Sequence, residues 1–411
     1  MSIPQDYLHR TIEPVIKEAS EIFKVVLLTG IRQCGKSTCF EYLAKQEGNR
    51  PSLTMDDALV RTDAELSPSF FFQLHPTPLL LDEVQRTPSL FLQMKAEVDK
   101  NAQFGQIWAT GSQKFSLMKG VSESLAGRLI PLELMPLSIY ERHGLGLAQK
   151  PYIPSMNPVG ALSEVNADTI WETIWQGAWP GVIKANPRQR RFFYDALIST
   201  YLERDIQLTS GVSKIYEFRV FLQMLASLTG QELRIGVLAN AVGVSEPTIR
   251  AWLSTALASG IIYYLRPYHS NINKQLVKSP KVYFTDTGLA AHLCGLSTPD
   301  ALRAYKDAGA FFETFVITEI LKSWVHNGEK ADFYFYRDSR TREEIDLLIR
   351  HNGMIYPVEI KMGSRPGADA IKHFKVLQHL PEPIGHGAVI CTTDHNYGLS
   401  NTCTAHSIWR I

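Results

Sequence analysis

Eight consecutive residues carry the first chemical signal. Gly30-Ile31-Arg32-Gln33-Cys34-Gly35-Lys36-Ser37 fits G-x-x-x-x-G-K-[ST], a loop that wraps the phosphates of a nucleoside triphosphate. Glycine at both ends lets backbone N–H groups turn toward an anion, and a helix start behind the loop adds a favourable dipole. Lys36 is expected to reach the β and γ phosphates, and the Ser37 hydroxyl to ligate Mg²⁺. The expected nucleotide contacts are Gly30, Ile31, Arg32, Gln33, Cys34, Gly35, Lys36, Ser37 and Thr38. A second signal is Leu79-Leu80-Leu81-Asp82-Glu83, an apolar run ending in two carboxylates. Asp82 is placed to hold Mg²⁺ through water, and Glu83 to orient and polarise the attacking water. A third is the set Glu313, Asp346 and Glu359-Ile360-Lys361 near the C-terminus.

Each set needs elements to position it. Lys24 to Thr29 is a short apolar, β-branched run, read as a buried strand. Beyond Lys36, Phe40, Leu43 and Ala44 recur at helical spacing. Strand, glycine loop and helix is the arrangement that phosphate binding needs. Tyr7 to Ala19 reads as a preceding helix, and Pro51 to Met55 as a second strand. Gln106 to Ser112 reads as a strand ending in small polar residues, where Thr110 or Ser112 can serve as a γ-phosphate sensor or simply close a turn. Arg128, after a glycine, is a candidate γ-phosphate contact or a plain surface ion pair.

The third set depends on a hairpin. Glu343 to Ile349 alternates as a strand, and Asn352-Gly353 is a two-residue turn signal. Counting back from that turn sets His351 against Met354 and Asp346 against Glu359, with Cβ atoms ~5 Å apart on one face. Lys361 shares that face. Glu313 and Glu319 lie on the apolar side of a helix spanning Gly309 to Trp324, which is costly unless a partner or cation meets them. Two answers to the crowding stand side by side. In one, Glu313, Asp346 and Glu359 ligate Mg²⁺ or Mn²⁺, because oxygen-only ligation suits those ions. In the other, Lys361 and Arg337 neutralise the carboxylates by ion pairing.

Composition narrows the setting. The chain has 411 residues, is 45% hydrophobic and 20% charged, and has a net charge of +1. Those values describe a globular chain with room for two to four domains of roughly 150 residues. Near-neutral charge means that any nucleic-acid surface must be local. The five cysteines contain no C-x-x-C pair, which suggests a reducing cytosol and no zinc or disulfide framework. The polar start from Met1 to Glu13 predicts no signal peptide. No apolar run approaches the ~20 residues of a membrane span.

Between the ends, His143 to Gly160 reads as a hinge rich in Gly and Pro. Ile170 to Asp205 looks helical, broken at Trp179-Pro180-Gly181, and its arginines Arg188, Arg190, Arg191 and Arg204 are expected to be mostly solvated. Leu233 to Leu257 reads as two helices around a Gly243-Val244-Ser245 turn. Strands at Ile261 to Leu265 and Lys281 to Phe284 flank a basic hairpin with Asn271, Lys274 and Lys278. That is the outline of a winged helix, which binds duplex DNA or protein.

The ordered set of motifs resembles bacterial and archaeal AAA+-type ATPases that join an N-terminal ATPase to a C-terminal domain of unknown function. The carrying residues are Thr29 to Thr38, Leu81 to Gln85, Thr110-Gly111-Ser112 and Leu125 to Arg128. Further on they are Tyr201 to Ile206, Phe312-Glu313 and Val358 to Lys361. The resemblance implies ATP and Mg²⁺ as cofactors and ATP hydrolysis, with Asp82 and Ser112 beside the nucleotide and Glu83, Lys36 and Arg128 as catalytic groups. The C-terminal part also resembles the PD-(D/E)xK nuclease fold of restriction endonucleases and Holliday-junction resolvases, with Ile345 rather than Pro before Asp346. That likeness implies Asp346, Glu359 and Lys361 as catalytic groups. The expected fold class is therefore α/β. Its expected parts are a P-loop core (1–145), a linker and helical lid (146–215), a winged helix (216–298) and a nuclease-like domain (299–411). The expected protein is cytoplasmic, free of membrane contact and able to oligomerise. It is an ATPase coupled to a DNA-directed half that is a candidate metal-dependent nuclease. The alternative is a nucleotide-dependent switch or scaffold that only binds DNA or protein.

Overall fold

The computed structural model describes residues 6–48, 50–100, 102–111, 125–156, 169–202, 215–269, 279–338 and 343–411. The chain separates into two compact units. The first runs to Gln149 and takes in Ala258–Gly260 and Val325–Glu329; the second holds Lys150–Leu257, Ile261–Trp324 and Lys330–Ile411. Expected site or wing residues Ser112, Arg204, Asn271, Lys274 and Lys278 lie outside the described residues.

The first unit is built on five strands: β1 (Val25–Thr29), β2 (Ser52–Thr54), β3 (Leu79–Asp82), β4 (Ile107–Gly111) and β5 (Leu129–Glu133). They pair in the order β2-β3-β4-β1-β5, all parallel. A parallel sheet is covered on both faces, which is why β1, β3 and β4 are apolar up to their carboxyl ends, with every residue buried. Leu27, Leu79, Leu81 and Ala109 meet Phe71, Phe72 and Met94 in one core cluster. The order places β4 between β1 and β3. The carboxyl ends of all three strands therefore sit side by side, the usual place for a ligand crevice in such sheets.

Helix α1 spans Glu13–Ile22 rather than starting at Tyr7. Pro14 in its first turn suits a helix start and not its interior. Residues 7–12 are spent instead on side-chain and backbone contacts. Helix α2 spans Lys36–Glu47 and begins on Gly35, whose φ of 98° is left-handed.

The second unit opens with helices Thr169–Gln176 and Pro187–Leu197, joined through a short 3-10 turn at Pro180–Val182. One arginine there departs from its solvated expectation. Arg190 is buried, stacks 4.0 Å over Trp175 and donates to the Trp175 and Gly288 carbonyls. Helices Ile215–Ser227, Ile235–Val242 and Glu246–Ala258 follow, with strands β6 (Gln231–Glu232), β7 (Ile262–Pro267) and β8 (Lys281–Phe284). Gly243 closes its helix with a left-handed φ of 78°.

After the helix Ala308–Val325 come β9 (Phe333–Arg337), β10 (Glu344–His351), β11 (Met354–Ile360), β12 (Gly387–Cys391), β13 (Tyr397–Ser400) and β14 (Cys403–Ser407). These strands join β6 to β8 in one nine-stranded sheet, ordered β13-β14-β12-β11-β10-β9-β7-β8-β6. The parallel pairing of Arg266 with Tyr334 and Pro267 with Phe335 carries it across the expected boundary at 298/299. Composition gives no sign of this pairing, because sheet continuity is a long-range choice. Strands β13 and β14 were not anticipated either. Among the described residues no helix is long and apolar enough to cross a membrane.

Candidate functional site

The β1–α2 loop folds tightly. Gly30 has φ 144°, and a Cβ there would stand 2.0 Å from the Leu134 carbonyl oxygen, so no other residue fits. Gln33, with φ 61°, also takes the left-handed conformation. Lys36 is buried, and its ammonium donates to the Gly30 and Ile31 carbonyls, each at 3.0 Å. The lysine that is to meet phosphate thus lies along the inside of its own loop. The backbones of Arg32, Cys34 and Thr38 complete the loop and the first turn of α2.

The ends of β3 and β4 close on the same point. The Ser37 hydroxyl donates to Asp82 Oδ1 at 2.6 Å, and the Thr110 hydroxyl donates to the same oxygen. Thr54, at the end of β2, sits 3.5 Å from Asp82 Oδ2. Thr110 Oγ1 also accepts the Glu83 N–H at 3.1 Å. Glu83 is one of three non-glycine residues with positive φ, at 56°, among the described residues. A strained backbone of that kind aims a side chain that ordinary strand geometry would not. Gln85 donates to the Glu83 carboxylate. Sequence reasoning missed Thr54 and Gln85; only the parallel register of β2 on β3 brings Thr54 against Asp82.

Arg128 is half-buried and paired with Asp99, Nε to Oδ1 at 2.7 Å, and it donates to the Ala126 carbonyl. That hydrogen bond holds the Asp99 carboxyl below its ordinary pKa range. Of the two readings open for Arg128, the surface ion pair is the contact present.

At the C-terminal set the turn forms as the dipeptide demands, with Asn352 at φ 49° and Gly353 at φ 75°. The register pairs His351 with Met354 and Leu347 with Val358. The β10–β11 ladder ends at that last pair, so the expected pairing of Asp346 with Glu359 lies one step beyond it, where β10 is also irregular against β9. Asp346 Oδ2 accepts the Ile360 N–H at 2.8 Å, and Lys361 Nζ donates to Glu359 Oε1 at 2.6 Å. Glu359 Oε2 is buried without a hydrogen-bond partner.

The cations differ from expectation. Arg337 pairs with Glu344 and Glu232, not with Asp346 or Glu359. Its place near the cluster is taken by Lys281 of β8, 3.0 Å from Glu313 and 2.6 Å from Glu344. Tyr283, two residues on and so on the same face, donates to Glu313 at 2.6 Å. Lys281 reaches the cluster only because β7 pairs with β9. Burial, then Glu313 and Glu359, push the Asp346 carboxyl well above its usual range. Burial works against charge on Lys281, but Glu313, Asp346 and Glu344 hold its pKa above the ordinary lysine value. Glu319, the other inward carboxylate, is buried against Lys322 at 2.7 Å. Among the described residues, no group of three or more His, Cys, Asp or Glu is arranged to hold a metal ion. Of the expected ligand set, Glu313 is turned to Lys281 and Tyr283, while Glu313 and Glu359 both repel the charge on Asp346.

Comparison with known proteins follows the same division. Residues 23–143 match the family model described as an AAA domain. This stretch is similar to AAA domains. Residues 308–411 match a domain of unknown function, DUF4143, and residues 167–300 match another, DUF8612. Uncharacterized proteins of Mycobacterium tuberculosis and Mycobacterium bovis are each 28% identical over 386 residues, 93% of this chain and 79% of theirs. Among solved structures, the Walker-type ATPase PABY2304 of Pyrococcus abyssi is similar with TM-score 0.45 and 14% identity, over 70% of this chain and 96% of that one. The RuvB Holliday junction branch migration motor of Thermotoga maritima has TM-score 0.31 and 14% identity, over 64% and 89%.

Proposed function

We propose that this protein binds ATP on the loop from Gly30 to Thr38 and hydrolyses it. The observation that carries the reading is the convergence on Asp82. Hydroxyls from the loop (Ser37) and β4 (Thr110) both donate to its carboxylate, and Thr110 also holds the backbone of Glu83. Ser37 and Asp82 offer only oxygen donors, which fits Mg²⁺. When bound there, Mg²⁺ neutralises charge on the β and γ phosphates. Lys36 leaves the Gly30 and Ile31 carbonyls for the phosphate oxygens. Glu83 orients the water and draws its proton as the oxygen attacks the γ-phosphorus, and the bond to the β–γ bridging oxygen breaks. Thr110 keeps Asp82 and Glu83 in register through these changes, which is the sensor role; Ser112 is the other candidate for it.

Four functional parts are proposed: core 1–145, linker and lid 146–215, winged helix 216–298 and nuclease-like domain 299–411. The order helix, strand, helix, helix, strand, strand from Ile215 to Phe284, with β8 between β6 and β7, supports the winged helix. Such a module takes DNA or protein. For the last part, the helix-borne Glu313, the repulsion between Asp346 and Glu359, and Lys361 support the nuclease-like outline. Lys281 pairs with Glu313 and Lys361 with Glu359, which favours a binding module over a metal-dependent nuclease. The protein is then an ATP-driven switch with a DNA- or protein-binding C-terminal half, working in the cytoplasm.

Two variants test the ATP site. Lys36→Ala removes the charge that meets the phosphates and abolishes ATP binding in a fluorescent-nucleotide titration. Glu83→Gln retains binding and slows hydrolysis. Parent-like turnover in both sinks the assignment.

A further inference from the structure

The phosphate loop rests on a short segment of the first unit, Leu134-Met135. Leu134 extends β5, its N–H donating to the Thr29 carbonyl at 2.8 Å. Its carbonyl limits Gly30 and accepts from Cys34 Sγ at 3.3 Å. Both ends of the loop therefore bear on one peptide unit.

A single buried guanidinium ties the loop to that segment. Arg10 is 2% exposed. Its Nη1 donates to the Cys34 carbonyl and its Nη2 to the Met135 carbonyl, both at 2.7 Å. The planar fork gives each acceptor its own nitrogen in a fixed geometry, where a lysine has one nitrogen on a flexible stem. Arg10 is held in turn by Glu141, whose Oε2 lies 3.1 Å from Arg10 Nε, off the direction of an aligned hydrogen bond. Glu141 is fixed by well-formed bonds from the Thr11 and Ser138 N–H groups, each at 2.8 Å. His326, from the Val325–Glu329 segment, completes the set. Its Nδ1 lies 3.1 Å from Glu141 Oε1, and its Nε2 accepts the Met135 N–H at 3.0 Å. Met135 is thus gripped at its carbonyl by Arg10 and at its N–H by His326.

We propose that Arg10 is a positioning residue for ATP binding: it holds the Cys34 peptide so that the loop N–H groups face the phosphates, with Glu141 and His326 fixing the guanidinium. Cys34 O is pulled toward Arg10, which turns the adjoining Gly35 N–H into the loop. None of the three residues lies in a nucleotide motif. The inference rests on the ATP-binding reading of the loop.

The test is ATP affinity by fluorescent-nucleotide titration for parent, Arg10→Lys, Arg10→Ala and Glu141→Gln, with Lys36→Ala as the dead control. Arg10→Lys retains positive charge but loses the rigid two-nitrogen fork, and its affinity falls about tenfold. Arg10→Ala falls at least as far, and millimolar guanidinium restores part of the loss, which a purely structural role would not show. Glu141→Gln leaves the arginine in place without its counter-charge and weakens binding a few-fold; it stands as the second variant if Arg10 variants do not fold. Affinity within twofold of parent in the folded Arg10 and Glu141 variants overturns the proposal. A parent that binds no better than Lys36→Ala removes the nucleotide reading itself, and this inference with it.

Discussion

Thr110→Val isolates one hydroxyl at the centre of the ATP site. Valine has nearly the shape of threonine, so packing at the fully buried 110 position is kept and only the polar atom is lost. That atom donates to Asp82 and accepts the Glu83 N–H. A hydrogen bond to a charged group contributes about 1.5–3 kcal/mol, and leaving its buried partner unsatisfied costs a similar amount. If that loss falls on the transition state, each 1.36 kcal/mol is tenfold in rate, so kcat drops about 10- to 150-fold. KM should move little, because Lys36 and the loop N–H groups still bind the phosphates. Stability should fall too: about 1 kcal/mol corresponds to 2–4 °C of Tm in a unit of this size. Thr110→Ser, which keeps the hydroxyl, should stay near parent. Steady-state phosphate release and a thermal melt read both quantities. A Thr110→Val enzyme with kcat within twofold of parent, in a preparation where Glu83→Gln is slow, would refute the coupling of β4 to the acidic pair.

The carboxylate cluster gives a pH-dependent expectation. Asp346 has its folded pKa raised by burial and by Glu313 and Glu359, so its protonated form supports the fold below the unfolded value of about 4. That support is lost as pH rises through the folded pKa. Asp346→Asn keeps an oxygen for the Ile360 N–H and removes the charge, so its melting temperature should equal or exceed the parent's at neutral pH, by a margin that grows with pH. Added Mn²⁺ should change neither protein; a Mn²⁺-dependent rise in the parent that the variant lacks would restore the metal reading. For the wing, reversing Lys274 and Lys278 together should weaken duplex DNA binding across all sequences and flatten its salt dependence. Unchanged affinity at low salt assigns the proposed winged helix to protein contacts.

Local sequence was enough wherever the chemistry is local. The glycine loop is legible because phosphate wrapping needs positive φ at Gly30 and Gly35, and only certain residues allow it. The apolar runs of β1, β3 and β4 are legible because strands buried on both faces have no polar alternation to hide them. The Asn352-Gly353 turn sets a register by counting alone, and the pairing of His351 with Met354 follows it. Tertiary structure decided everything that depends on which distant strands meet. Pairing of β7 with β9 brings Lys281 to Glu313 and leaves Arg337 to Glu344 and Glu232, the reverse of what proximity in sequence suggests. Arg190 reads as a solvated charge, and Arg10 carries no local signal, until their carbonyl acceptors, from residues up to 125 positions away, are in place. A charged side chain shows in sequence only that it needs a partner. Which partner it finds is settled by strand order and burial, because desolvation makes a buried charge depend on contacts that no local pattern encodes.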